Sequence, residues 1–178
     1  SDAHLCVSTG IDATQTNSGR QHLNECSVRV FDHNVLQGCY QTTDGQQQAI
    51  ITSKCVIPSG ASSSFSAKNR QLLQHISLPL QAGEAVTLEK FSWIATSLDA
   101  DAGPDNTWPQ RCLEALSAVA QQSYGHLLME HTGHWQHYWR ASRVGVESDD
   151  PQDQRALDFA LYHLKLMIPC LLYTSPSP

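Results

Sequence analysis

The feature that most constrains this chain is a change of hydrophobic period near residue 105. Before it, apolar residues alternate with polar ones or run in short β-branched stretches; after it, they recur at three- and four-residue steps. A run of strands followed by a run of helices folds as one α+β domain or as two separate domains. The first regime predicts six strands, over residues 3–9, 25–33, 36–42, 48–57, 71–80 and 85–96. Turn signals separate them: Asn17-Ser18-Gly19, Asp32-His33-Asn34, Asp44-Gly45 and Ala82-Gly83-Glu84. Asp44-Gly45 predicts a hairpin, because Gly tolerates the positive φ of tight turns. Residues 58–64, from Pro58 to Ser64, read as a small-residue loop. Strands at this spacing predict antiparallel sheets packed as a sandwich.

Residues 100–109 are polar and turn-rich and mark the boundary between the regimes. Three helices are predicted beyond it. The first covers 109–122, with Pro109 in the first turn, where its missing N–H costs nothing. Cys112, Leu113, Leu116, Val119 and Ala120 share one of its faces. The second covers 124–142. Tyr124, Leu127, Leu128, His131, Trp135, Tyr138 and Trp139 give it one broad apolar face, with Trp135 and Trp139 stacked on the same side. Gly133 in its middle costs up to about 1 kcal/mol relative to Ala, which a close helix contact would explain. The third covers 151–168, with Asp150 as N-cap, Pro151 at the first position and Asp153 in the first turn. Ala156, Phe159, Ala160, His163, Leu164 and Met167 form its expected buried stripe.

Charge and cysteines exclude several functions. Eleven Lys plus Arg against 17 Asp plus Glu give a net charge of −6, the wrong sign for nucleic acid or an anionic membrane surface. No apolar run reaches the roughly 18 residues of a membrane span. The six cysteines, at 6, 26, 39, 55, 112 and 170, have no CxxC spacing and no signal peptide beside them. Cys26, Cys39 and Cys55 fall in predicted strands and are expected to be reduced, structural thiols of a cytoplasmic protein.

The ends read as cut. The start, Ser1-Asp2-Ala3, has no initiator Met and looks like a strand already under way. Residues 170–178 break the last helical pattern and resemble the translation of a transposon-end adapter used in sequencing libraries, so they are set aside as foreign. On that reading the natural protein continues past Pro169.

Candidate chemistry is sparse. His131, His134 and His137 lie three apart, but each three-residue step turns backwards by about 60° on a helix, so the third drifts off the face. There is no HExxH arrangement, and no metal site is assigned. Trp93, Trp135, Trp139 and Tyr138 are read as packing residues in preference to a sugar platform. Asp99 with Asp101, and Asp149, Asp150 and Asp153, offer the carboxylate pairs that glycoside cleavage needs, but sit in turns or at a helix start.

One ordered set of motifs goes further. Ser8-Thr9-Gly10-Ile11-Asp12-Ala13 with Asn17, then Val86-Thr87-Leu88-Glu89-Lys90 and Ile94-Ala95-Thr96-Ser97-Leu98-Asp99, open it. His131, Trp135 and Trp139 follow, then Val144-Gly145-Val146-Glu147 with Asp149, and Gln152, Gln154, Ala156, Phe159 and Tyr162-His163-Leu164. Their order and spacing resemble glycoside hydrolase family 65 across nearly all of residues 1–169. Ala13 and Ser148 depart from the family pattern, which has Gly at both places. The resemblance implies the later part of a galactose-mutarotase-like β-sandwich over residues 1–100, linker helices over 101–150 and the first helix of an (α/α)6 barrel over 151–169. It also implies an inverting disaccharide phosphorylase of the maltose, kojibiose or trehalose type, or a related hydrolase, acting on α-glucosidic disaccharides. Inorganic phosphate would be co-substrate, no other cofactor is implied, and a homodimer is an expected assembly. The general-acid Glu is expected downstream of Pro169, so no catalytic residue is assigned, and neither Glu130 nor Glu147 takes that role. The competing reading is a free-standing β-sandwich carbohydrate-binding or interaction module without catalysis.

Overall fold

A computed structural model describes residues 3–99 and 107–167. Residues 170–178 and Asp101 lie outside the described residues, as does most of the expected boundary segment. The chain divides into two compact units, Ser1–Gln122 and Ser123–Pro178.

The first unit holds seven strands, β1 (Ala3–Asp12), β2 (Leu23–Phe31), β3 (Val35–Thr42), β4 (Gln48–Val56), β5 (Ser62–Lys68), β6 (Gln71–Leu80) and β7 (Glu89–Thr96), then helix α1 (Trp108–Val119). They form an antiparallel three-stranded sheet, β1-β6-β5, and an antiparallel four-stranded sheet, β2-β3-β4-β7. The expected sandwich is therefore present. Alternation sorts the strand residues between faces. Ile11 and Leu72 from the smaller sheet, with Ala13 just past the end of β1, meet Leu36 and Tyr40 from the larger one, with Leu23, Val28 and Ile51 packed around them. On the opposite face of the larger sheet, Ile50 and Ala95 meet Trp108 and Cys112 of α1. The unit thus has three layers, sheet on sheet and sheet on helix. Buried Gln37 ties the last two together, donating from Nε2 to Thr52 Oγ1 (3.2 Å) and to the Pro109 carbonyl (2.8 Å).

Four details differ from the expectations. Strand β5 occupies part of the predicted loop. Its sequence, Ser62 to Lys68, has no β-branched residue, and only pairing with β6 makes it a strand. The hairpin between them turns through Asn69 and Arg70, both at positive φ (52° and 64°), the geometry that suits a right-handed strand twist. Strand β7 begins at Glu89 and not at residue 85, because its partner β4 ends at Val56, opposite Glu89. Cys26 is exposed, since the β2–β3 register shifts between Glu25 and Ser27 and leaves it in a bulge. Cys55 and Cys112 are buried and Cys39 half-buried, as small apolar residues; burial pushes the Cys55 and Cys112 thiols up. Helix α1 begins one residue before Pro109, so Trp108, expected in the polar boundary, belongs to the core.

The second unit contains α2 (Tyr124–Ser142) and α3 (Pro151–Met167). The Ser123 hydroxyl caps α2 by accepting from the His126 N–H. Asp150 Oδ1 accepts from the Gln152 N–H (2.9 Å) and caps α3 as expected. The side of α3 that packs is not the predicted stripe. Gln154, Leu157, Asp158 and Leu161 are half-buried, while Phe159 is 65% exposed and Leu164 and Met167 are also exposed. The physical reason lies on α2 and the segment after it. The Trp135 ring takes Tyr162 at 4.9 Å, the Tyr138 hydroxyl donates to the Leu161 carbonyl (3.3 Å), and Arg143 pairs with Asp158 (3.2 Å). These partners hold the opposite side of α3.

No close contact explains Gly133, because a Cβ built there meets nothing within 4 Å. Gly133→Ala is accordingly expected to stabilise the second unit by up to about 1 kcal/mol. Thermal unfolding by far-UV circular dichroism checks this; a lower midpoint would show that the glycine is required.

Candidate functional site

The candidate residues take structural posts. His131, His134 and His137 are exposed on α2, with His131 edge-on to Trp135 at 6.3 Å. Among the described residues no three His, Cys, Asp or Glu side chains assemble into a metal-binding group. Trp135 stacks on Trp139 at 6.1 Å and 29°, and with Tyr138 and Tyr162 forms the aromatic junction between α2 and α3. Trp93 lies on β7, separate from that junction in the chain's first unit. Asp99 Oδ2 accepts from the Thr96 N–H (2.7 Å), and Asp153 Oδ2 accepts from the Ser148 hydroxyl (2.5 Å). Glu130 sits one helical turn from His126 (3.4 Å) on the exposed side of α2.

The motif residues are likewise fastenings. Asp12 ends β1, and its Oδ1 accepts from both the N–H (2.8 Å) and the hydroxyl (2.6 Å) of Thr14, while Oδ2 accepts from Gln71 (3.0 Å). The turn that follows is clamped through Ala13, whose carbonyl accepts from Gln21 (2.9 Å) and from Arg70 Nε (3.0 Å). Gln154 plays the same part in the second unit. Its amide donates to the Val144 carbonyl (3.0 Å) and its Oε1 accepts from the Val146 N–H (2.9 Å), so it fastens the extended segment before α3 onto that helix.

Asp12 gives this clamp a pH dependence. The Thr14 hydroxyl, then the Thr14 amide, then Gln71 hold its carboxyl below the ordinary value of 3.8. A lowered folded pKa contributes stability that is complete above the unfolded value and lost as pH falls through the folded one. Asp12→Asn is expected to flatten the acid limb of stability as pH falls below the ordinary carboxyl value of 3.8. Thermal midpoints measured against pH for both proteins check this, and parallel acid limbs would contradict it.

One convergence of polar side chains escaped the sequence reading. On the outer face of the smaller sheet, His75 of β6 lies opposite Ser8 of β1 and Ser64 of β5. Its Nδ1 is 2.8 Å from the Ser8 hydroxyl and its Nε2 is 2.8 Å from the Ser66 hydroxyl. Nearby, Ser77 Oγ is 3.2 Å from His4 Nε2. Cys6, Ser8, Ser62, Ser64, His75 and Ser77 line a shallow groove of about 220 Å³ there. The signal was available in principle: Ser62, Ser64 and Ser66 alternate with Phe65 and Ala67, but serine alternation does not announce a strand.

The architecture defines a class first: an antiparallel β-sandwich backed by a helix, followed by a helical unit. The chain belongs to glycosyl hydrolase family 65, whose N-terminal domain model matches residues 1–138. It is 46% identical over 168 residues to the kojibiose phosphorylase of Escherichia coli (strain K12), covering 94% of this chain and 22% of that protein. It is 26% identical over 175 residues to the kojibiose phosphorylase of Halothermothrix orenii, covering 93% of this chain and 22% of that protein. It is 22% identical over 129 residues to the nigerose phosphorylase of Lachnoclostridium phytofermentans, covering 72% of this chain and 16% of that protein. The chain therefore spans about a fifth of the length of the curated relatives it matches. No helix among the described residues is long and apolar enough to cross a membrane.

Proposed function

We propose that this chain is the sandwich and the adjoining helices of an inverting disaccharide phosphorylase that acts on α-glucosidic disaccharides, with kojibiose as the first substrate to test. The observation that carries the reading is 46% identity to a kojibiose phosphorylase across 168 residues. That stretch is longer than the sandwich and extends into the helices, which a free-standing sandwich module does not account for. In this reading residues 101–150 link the sandwich to a catalytic barrel, and residues 151–169 begin that barrel. The protein is cytoplasmic, a homodimer is its expected assembly, and it binds neither nucleic acid nor membrane.

Inversion at an anomeric carbon needs an acid on the leaving oxygen and a nucleophile on the opposite face. Inorganic phosphate serves as nucleophile, and a Glu beyond residue 169 serves as acid. The part played by residues 3–167 is to fold and hold, as the hydrogen bonds of Asp12 and Gln154 already do. Residues 1–178 alone are therefore expected to turn over none of kojibiose, nigerose, maltose or trehalose. The full-length protein is expected to prefer kojibiose among the four. Glucose release by residues 1–178 in a phosphate-containing assay would overturn the first expectation, and a preference for another disaccharide the second.

A further inference from the structure

We propose that the outer face of the β1-β6-β5 sheet carries a secondary binding groove for a single neutral sugar ring. Three observations support it. The first is the lining. Ser8, Ser62, Ser64, His75 and Ser77 line the groove together with the apolar Val7 and Ile76, and its lining contains no Asp, Glu, Lys or Arg. Such a surface does not select an anion or a cation. It offers short hydroxyl groups, each able to donate and to accept, which is the requirement of a polyhydroxylated ligand.

The second is preorganisation. His75 is gripped from both sides, by Ser8 at one ring nitrogen and Ser66 at the other, each at 2.8 Å. In a neutral imidazole one nitrogen donates and the other accepts. With the ring in that form, one serine of the pair donates to it and the other accepts from it. The Ser8 hydroxyl, which lies in the groove, is thus held in position by a ring that Ser66 of β5 holds in turn. A second such pairing, Ser77 with His4, sits beside it at 3.2 Å. A ligand then meets the Ser8 and Ser77 hydroxyls already held in place by histidine rings, which lowers the cost of ordering them on binding.

The third is size. The groove, at about 220 Å³, is smaller than the roughly 300–1,000 Å³ of pockets that enclose drug-sized ligands. It suits one ring and not a disaccharide. Ser62 and Ser64 of β5 supply short side chains to its lining. The choice of a sugar among neutral polyols rests on the phosphorylase reading; the neutral, hydroxyl-lined groove does not.

The test is hydrogen–deuterium exchange of the full-length protein with and without D-glucose, resolved at peptides covering residues 4–8, 62–66 and 73–77. Glucose is expected to slow exchange in these peptides saturably. In the double variant Ser8→Ala, Ser64→Ala, which removes the hydroxyls on either side of His75, the glucose concentration for half-maximal protection is expected to rise at least about tenfold. Absence of glucose-dependent slowing at these peptides would overturn the groove, as would slowing that persists unchanged in the variant. Phosphorolysis of kojibiose by the same preparation separates the two readings. An active enzyme without groove protection refutes the groove alone, and groove protection in a protein inactive on kojibiose refutes the substrate reading alone.

Discussion

Trp108→Ala is expected to remove about 3–5 kcal/mol of stability from the sandwich unit, the largest single effect among its side chains. Trp108 is 8% exposed and packs with Cys112 against Ile50 of β4 and Ala95 of β7. An indole is too large for its neighbours to collapse into the space it leaves, so a cavity term adds to the lost burial. The helix it anchors has 12 residues, a length at which an isolated helix is marginal in water. With its first-turn anchor gone, α1 also loses the alignment by which Gln37 reaches the Pro109 carbonyl. Urea denaturation followed by far-UV circular dichroism measures the loss. A change below about 1 kcal/mol would show that α1 is held by something other than its tryptophan.

Gly10→Val should cost about 1–3 kcal/mol or more, through overpacking and not through a cavity. A Cβ at residue 10 would be driven against the Leu72 carbonyl oxygen and the Leu73 Cα. These are backbone atoms of the paired strand β6, which cannot swing aside as a side chain would. The β1–β6 pairing would have to open where it leads into Ile11 and Asp12, which supply the core and the turn clamp. The same strand presents the Gly10 carbonyl to Lys90 Nζ (2.8 Å), so displacement also reaches β7. Thermal unfolding of Gly10→Val beside Gly133→Ala gives an internal contrast. A clear loss is expected at Gly10 and a slight gain at Gly133, and a tolerated valine at Gly10 would contradict the close approach.

The two-regime division was legible because it depends only on period. Strand β6 and helix α2 occupy the predicted residues, 71–80 and 124–142, where the apolar pattern runs unbroken. What stayed hidden depends on partners. Strand β5 is a run of Ser with Phe65 and Ala67, made into a strand by β6 and by the turn through Asn69 and Arg70. Trp108 sits among polar residues, and only the far face of the larger sheet makes it core. Helix α3 does not pack by its most apolar stripe, and the side that packs is chosen by Trp135, Tyr138 and Arg143. Interior polar groups were hidden for the same reason. Gln74 is 0% exposed, and among the described residues its amide has no hydrogen-bond partner. The Tyr40 hydroxyl is also buried without a partner, and burial pushes its pKa up to about 12.

The motif residues were legible in a different sense. Asp12, Gln154, Trp135 and Trp139 carried the family resemblance from the sequence, yet each is a turn clamp, a segment fastening or a helix-junction residue. Family identity here is written in the residues that hold the scaffold, so the fold could be read without any catalytic group in view.

The phosphorylase function proposed above stands or falls with phosphate dependence. The most direct test incubates the full-length protein with kojibiose in the presence and absence of inorganic phosphate and follows the products by phosphorus and proton magnetic resonance. β-Glucose 1-phosphate and glucose are expected, formed only when phosphate is present. Glucose released at the same rate without phosphate would contradict that function and mark a hydrolase.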